Sequence, residues 1–366
     1  KIFNFLLLLG FLSGCDYLDI VPDNLPTLEM AFNNKSSAER FLFTCYSFVP
    51  EHGKIGTDPG MDVGDEVWYY SDNSADYSNK TTFWIAKGMQ NSNEPLVDYW
   101  NGAQWGKAMF VGIRDCNVFI ENIDKVPDLS AYDKETWKAE AKVLKAFYHF
   151  WMMRMYGPIP IIKENIPVSA GEDEVRVVRD KIDDIVTYIV SLIDESVEYL
   201  PLNIQNEAAE MGRITRPAAK AIKAKILAFA ASPFFNGNLD YANFKNAEGE
   251  PFFNQVYDNE KWTKAADACL EAIQCAEEAG HGLYEFVNMS STQLSDETIL
   301  SLSNRCKVTE RWNKELVWGC GQSGIRDLQV LCQPWLESNY SSDDRYHNAR
   351  NGTFAPTLAV AETFYT

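Results

Sequence analysis

The stretch Phe147-Tyr-His-Phe-Trp-Met-Met-Arg-Met-Tyr156 constrains this chain more than any other feature. It closes a helical pattern beginning near Asp133, in which Trp137, Ala141, Leu144, Tyr148, Trp151 and Met155 recur at steps of four and three. From Phe147 onward the pattern is apolar almost all round. A helix without a polar face needs neighbours on most sides, so the fold must wrap other elements around this one. Gly157-Pro158 ends it, because glycine accepts a left-handed cap and proline cannot continue a helix.

The neighbours read as helices too. Ser36-Ser37-Ala38-Glu39 spells a capping box ahead of Phe41, Leu42, Cys45, Tyr46 and Val49. The spacing predicts a second helix from about Val97 to Ile123, burying Ile113, Cys116, Phe119, Ile120 and Ile123. After the helix near 133–156, a fourth is marked by Ile182, Ile185, Val186, Ile189, Ile193 and Val197 and closes at Pro201. The fifth opens at Thr215 with Pro217 in its first turn, holds seven alanines between Ala218 and Ala231, and stops at Ser232-Pro233. The sixth, Lys261 to Ala279, carries Trp262, Ala265, Ala266, Cys269, Leu270, Ile273 and Ala276. Small residues let a partner helix approach closely. The expected class is all-α, mainly helical: tetratricopeptide-like hairpins with long irregular ligand-binding loops. No linker divides the chain, so residues 15–366 are expected to form a single domain.

Two regions break the helical pattern. Val67 to Trp105 holds nine aromatics set among Ser, Asn and Asp, with few aliphatic residues. Aromatic faces pack on the C–H faces of sugar rings, while neighbouring carboxylates and amides bond the hydroxyls. Trp68, Tyr69, Tyr70, Asp72 and Trp84 are the candidate glycan contacts here, whereas Tyr99, Trp100 and Trp105 lean toward the core. The competing reading is a packed loop pinned over the helices by its rings. Asn304 to Gly352 is the other region, with Trp312, Trp318, Arg326 and Trp335 as the candidate second wall of a site. Glu315 to Trp318 fits a short strand, and the acid-rich Gly171–Val175 a solvated loop.

Net charge is -19, so affinity for nucleic acid, which rests on neutralising phosphates, is not expected. H-E-x-x-H, the phosphate-binding G-x-x-x-x-G-K-[ST] and the EF-hand loop are all absent from the sequence. No cofactor, metal or catalytic residue is expected, and His149 reads as a satisfied core histidine. Cys45, Cys116, Cys269 and Cys275 fall in helical patterns and read as buried free thiols.

The N-terminal apolar run, Phe5 to Leu12, is far short of the roughly 20 residues that span a bilayer. Residues 1–14 read as a signal peptide. Leu12-Ser13-Gly14-Cys15 resembles a bacterial lipobox, which would make Cys15 the lipidated residue that anchors the chain.

Several stretches together are similar to the SusD/RagB family of nutrient-binding surface lipoproteins. They are CDYLDIVP after the lipobox, AEAKVLKAFYHFWMMRMYGPIPII (139–162), ITRPAAKAIKAKILAFAASPFFN (214–236), KWTKAADACLEAI (261–273), NKELVWGC (313–320) and FAPTLAVAETFYT (354–366). The last stretch breaks off inside the family motif, so the resemblance implies a C-terminally truncated domain. It also implies attachment to the outer membrane, facing outward, with Asp16 and Asp19 as the export signal. The implied function is capture of an oligosaccharide or polysaccharide and its delivery to a SusC-like TonB-dependent transporter. Peptide capture by the same architecture is the alternative, and a surface glycosidase a more distant one. The family has no fixed binding motif, so the candidate contacts rest on composition.

Overall fold

The computed structural model describes residues 28–51, 58–69, 81–104, 106–320, 332 and 354–364. Among the described residues seven longer helices carry the fold: α1 (Lys35–Tyr46), α2 (Met109–Asn122), α3 (Ala131–Tyr156), α4 (Ile182–Asp194), α5 (Arg216–Ala231), α6 (Glu260–Glu278) and α7 (Asp296–Thr309). Two three-residue strands, β1 (Val67–Tyr69) and β2 (Phe354–Pro356), pair antiparallel with Trp68 opposite Ala355. The tetratricopeptide-like helical architecture is thus present, with α2 packed on α3, α3 on α4 and α5 on α6.

Helix α3 is the axis. Ser130 caps it, its hydroxyl accepting from Asp133 N at 3.0 Å. Gly157, at φ +68°, ends it where an added Cβ would lie 3.2 Å from the Phe253 ring. Tyr148, Phe150, Trp151, Met152 and Met153 are completely buried. Burying a side chain of this size stabilises the fold by about 1.5–3 kcal/mol relative to exposure, so this one stretch anchors much of the core. His149 is buried among them, its Nδ1 2.8 Å from Lys145 O and its Nε2 accepting from Ile162 N at 3.2 Å. Burial pulls its pKa down to about 4, and it is a satisfied core histidine.

Helix α5 starts and stops where Thr215, Pro217 and Ser232 predict. It meets α6 through Ala224, Ala268 and Ala272, and this small-residue seam brings the two backbones close. The loop after α5 is clamped by Asn236, which donates to Asp258 O at 2.8 Å and accepts from Asp258 N at 2.8 Å. Phe235 stacks on Phe253 beneath that clamp, centroids 5.9 Å apart.

Several expectations need correction. The capping box at Ser36 does not form. Asn34 caps α1 instead, accepting from Ser37 N at 3.0 Å, and the Ser36 and Ser37 hydroxyls accept from Arg40. Residues 97–104 and 106–108 are not helical. Asp98 accepts from the backbone N–H groups of Trp100 and Asn101, which turns the chain. Gly102 follows at φ +81°, and a Cβ at Gly106 would lie 1.9 Å from Asp98 O. Glu315 to Trp318 is loop rather than strand, and Asn304–Thr309 belongs to α7, whose apolar pattern is too sparse to read. Glu172–Val175 forms one exposed helical turn, closed by Gly171 N donating to Glu174 Oε2. On α6 the inward face is Ala265, Ala268, Ala272 and Cys275; Trp262, Leu270 and Ile273 are exposed. Cys269 is exposed for the same reason, while Cys45, Cys116 and Cys275 are buried free thiols. Among the described residues no helix is long and apolar enough to cross a membrane.

Candidate functional site

The non-helical turn at 97–104 borders a cavity of about 890 Å³ between the loop that starts at Gln90 and the end of α3. Side chains of the loop build its wall. Gln90 Oε1 accepts from Leu96 N at 2.6 Å while its Nε2 donates to Val97 O at 2.9 Å. Asn91 Oδ1 accepts from the backbone N–H groups of Asn93 and Glu94. Tyr99 N donates to the Tyr156 hydroxyl at 2.9 Å, tying the loop to α3. These bonds commit Gln90, Asn91 and Asp98 to structure. Ser92, Asn93 and Gln104 line the same cavity, are exposed, and keep their side-chain donors and acceptors available.

Trp100 forms the aromatic floor. It packs edge-on against Phe110 at 4.8 Å and Tyr156 at 5.6 Å, and the Arg179 guanidinium lies 5.3 Å from its ring centroid. Gln104 holds φ +50°, a conformation side chains rarely adopt, and such strain gathers where a side chain is needed in one place. A flat ring set among carboxamides and a guanidinium can pack against a sugar face and bond its hydroxyls.

A second group of cavities surrounds Gly212. Trp318 donates its indole N–H to Gly212 O at 3.0 Å and packs edge-on against Phe147 at 5.5 Å. A Cβ added at Gly212 would lie 3.7 Å from the Trp312 ring. Cavities of about 540 and 350 Å³ flank this arrangement and share Met211, Gly212, Arg213, Trp318 and Gly319 as walls. Beneath them, Arg213 donates to both oxygens of buried Glu140, at 2.6–3.2 Å, and to Glu210 at 3.1 Å. The Tyr46 hydroxyl also donates to Glu140. Burial alone would lower the Arg213 pKa, but Glu140 and Glu210 outweigh it and hold the guanidinium charged. Burial pushes the Glu140 carboxyl up against the pull of Arg213 and Tyr46.

The sequence candidates divide accordingly. Trp312 and Trp318 come together at Gly212. Trp68, 40% exposed, and Tyr69 lie in β1, and half-buried Trp84 lies in the short helix Thr81–Ala86 with Lys87 Nζ 5.0 Å from its ring centroid. Neither Trp68 nor Trp84 lines the 890 Å³ cavity. Tyr70, Asp72, Arg326, Trp335 and Cys15 lie outside the described residues. Tyr99 is buried as expected, and Trp100 both packs on the core and lines the cavity. Sequence reasoning missed Tyr156, Gln104 and Arg179. The density of Asn and Gln between 90 and 104 was the available signal. Gly319 to Gly324 does spell G-x-G-x-x-G. The residues before it are loop, without the strand that a dinucleotide site requires. Among the described residues no cluster of His, Cys, Asp and Glu is arranged to hold a metal.

A helical scaffold that bears cavities lined by rings and carboxamides on its loops defines a tetratricopeptide-like helical protein. Residues 16–227 match the SusD-like family model described as starch-binding, associating with the outer membrane, and the chain belongs to that family. It is 31% identical over 99 residues to a SusD-like protein of Bacteroides ovatus, covering 27% of this chain and 16% of that one. The solved structure of BT4246 superposes with a TM-score of 0.71 at 28% identity, covering 91% of this chain and 57% of the other. A SusD-like protein from Bacteroides fragilis, BF3747, superposes at 0.61 with 15% identity over 89% of this chain and 52% of its own. The surface glycan-binding protein A from Bacteroides uniformis does so at 0.57 with 16% identity, over 90% and 61%. The last two likenesses concern the fold alone. The chain spans less than two thirds of the length of each of these relatives.

Proposed function

We propose that this protein captures glycan at the outer membrane without chemically altering it, and passes it to a SusC-like TonB-dependent transporter. Cys15 carries the lipid that tethers it, after removal of residues 1–14, and the body faces outward. The observation that carries the reading is the 890 Å³ cavity, in which Trp100 lies among the side chains of Ser92, Asn93, Asn101, Gln104 and Arg179. Family membership supports it, as does the glycan named for the Bacteroides uniformis protein of the same fold. In this reading Trp68, Tyr69, Tyr70, Asp72, Trp84, Arg326 and Trp335 are further proposed glycan contacts.

Calorimetric titration with a panel of neutral and acidic oligosaccharides tests it. Trp100→Ala is expected to weaken binding at least tenfold while the far-ultraviolet circular dichroism shows the chain folded, with the melting temperature lowered by the packing lost against Phe110 and Tyr156. Affinity and stoichiometry both unchanged in Trp100→Ala refute the placement of the site. A panel that yields no binding, while peptide mixtures do bind, refutes the glycan reading itself.

A further inference from the structure

Trp312 combines three properties that a merely structural tryptophan does not need. Its backbone holds φ +53°; among the described residues only Gln104 shares such a conformation without being glycine, and both line cavities. Residues held in sparsely populated backbone regions gather at ligand sites. Its ring rests on two glycines: a Cβ added at Gly319 would lie 3.2 Å from Trp312 Cζ3, and one at Gly212 3.7 Å from Cη2. Gly212 itself is at φ +100° and is fixed by the Trp318 indole. Finally, the residue remains 37% exposed beside a cavity of about 350 Å³. Core packing removes a tryptophan from water; this one is braced on one side and left open on the other.

Polar groups suited to hydroxyls stand at the same cavity. Glu207 and Lys314 are exposed there. His281 uses Nδ1 on Lys314 O at 3.1 Å, which leaves Nε2 for a ligand. The cavity has the volume of a small-molecule site, roughly 300–1,000 Å³, at the low end that suits one or two sugar rings. It shares no lining residue with the Trp100 cavity.

Resting on the glycan reading above, we propose that the Trp312 cavity is a second, independent carbohydrate subsite, in which a sugar ring stacks on the open part of the Trp312 indole. It is not the opposite wall of the Trp100 site. Two separate subsites on one chain raise avidity for a long polysaccharide over a short oligosaccharide, through effective concentration.

Calorimetric stoichiometry separates the possibilities, using neutral hexasaccharides of α-glucan, β-glucan, mannan and galactan on the full chain. Wild type is expected to bind two equivalents of the recognised hexasaccharide. Trp312→Ala is expected to bind one, and Trp100→Ala also one. Trp312→Phe keeps a ring and retains two, with the second weakened three- to tenfold. Gly319→Ala disturbs the brace without changing the indole and is expected to lose the second equivalent too; melting curves check that each variant is folded. A single equivalent in wild type, abolished by Trp100→Ala and untouched by Trp312→Ala, overturns the second subsite and leaves the glycan reading standing. Absence of binding to any glycan overturns the reading on which it rests.

Discussion

Replacing Arg213 with methionine removes the positive half of the most deeply buried ion pair described. Glu140 is 1% exposed and receives three hydrogen bonds from Arg213, two from Nε at 3.1 and 3.2 Å and one from Nη2 at 2.6 Å. Methionine fills most of the volume and keeps a contact with Trp137, whose ring centroid lies 5.2 Å from the guanidinium carbon. It donates nothing. Glu140 is then left with the Tyr46 hydroxyl alone in a site closed to water. Leaving one member of a buried pair uncompensated costs about 3–5 kcal/mol, a fifth or more of the ~5–15 kcal/mol typical of a folded domain. Replacing both partners with apolar residues is far cheaper, so Arg213→Met with Glu140→Leu is expected to cost about 1–2 kcal/mol, chiefly because the Tyr46 hydroxyl loses its acceptor. The single variant also has a pH signature. Without Arg213, burial raises the Glu140 pKa further above its unfolded value. The folded variant therefore binds the proton more tightly than the unfolded chain does, and its deficit shrinks as pH falls from 8 toward 5. Urea unfolding followed by tryptophan fluorescence at both pH values measures this. A single variant costing less than about 1 kcal/mol at pH 8, or a double variant as unstable as the single, refutes the reasoning.

Two further predictions follow from buried or strained groups. His149 is fully buried with its pKa pulled from 6.5 to about 4. The unfolded chain takes up this proton first, so about 3 kcal/mol of stability is expected to be lost as pH falls from 6.5 to 4; His149→Gln should flatten that slope in melts across the range, and an unchanged slope contradicts it. Gln104→Gly relieves a left-handed backbone and is expected to stabilise by about 1 kcal/mol in urea unfolding, while weakening glycan binding through loss of the carboxamide. Lower stability in that variant would mean the strain is not there.

The helices were legible because the forces that start, stop and orient them are local. Gly157 ends α3 as a left-handed stop should, and Thr215, Pro217 and Ser232 bound α5, while α3 starts at Ala131, two residues ahead of the expected Asp133. Reading failed where a local signal lost to a competing one. The apolar pattern of 97–108 suggested helix, but the Asp98 carboxylate satisfies the Trp100 and Asn101 amides outside a helix and commits the chain to a turn. On α6, Trp262 and Leu270 have helical spacing, yet the close approach of α5 selects the alanine face for burial.

The amino-acid sequence by itself therefore determined the all-helical class, the buried axis at α3 and the polar, aromatic character of the loops, since caps and periodicity act within a few residues. Tertiary structure alone decided which of those aromatics reach a cavity. Tyr156 and Arg179 join Trp100, and Trp312 and Trp318 both reach Gly212, because packing brings together residues far apart in the chain. No pattern along the chain encodes which face of a ring will be left open once its neighbours have closed around it.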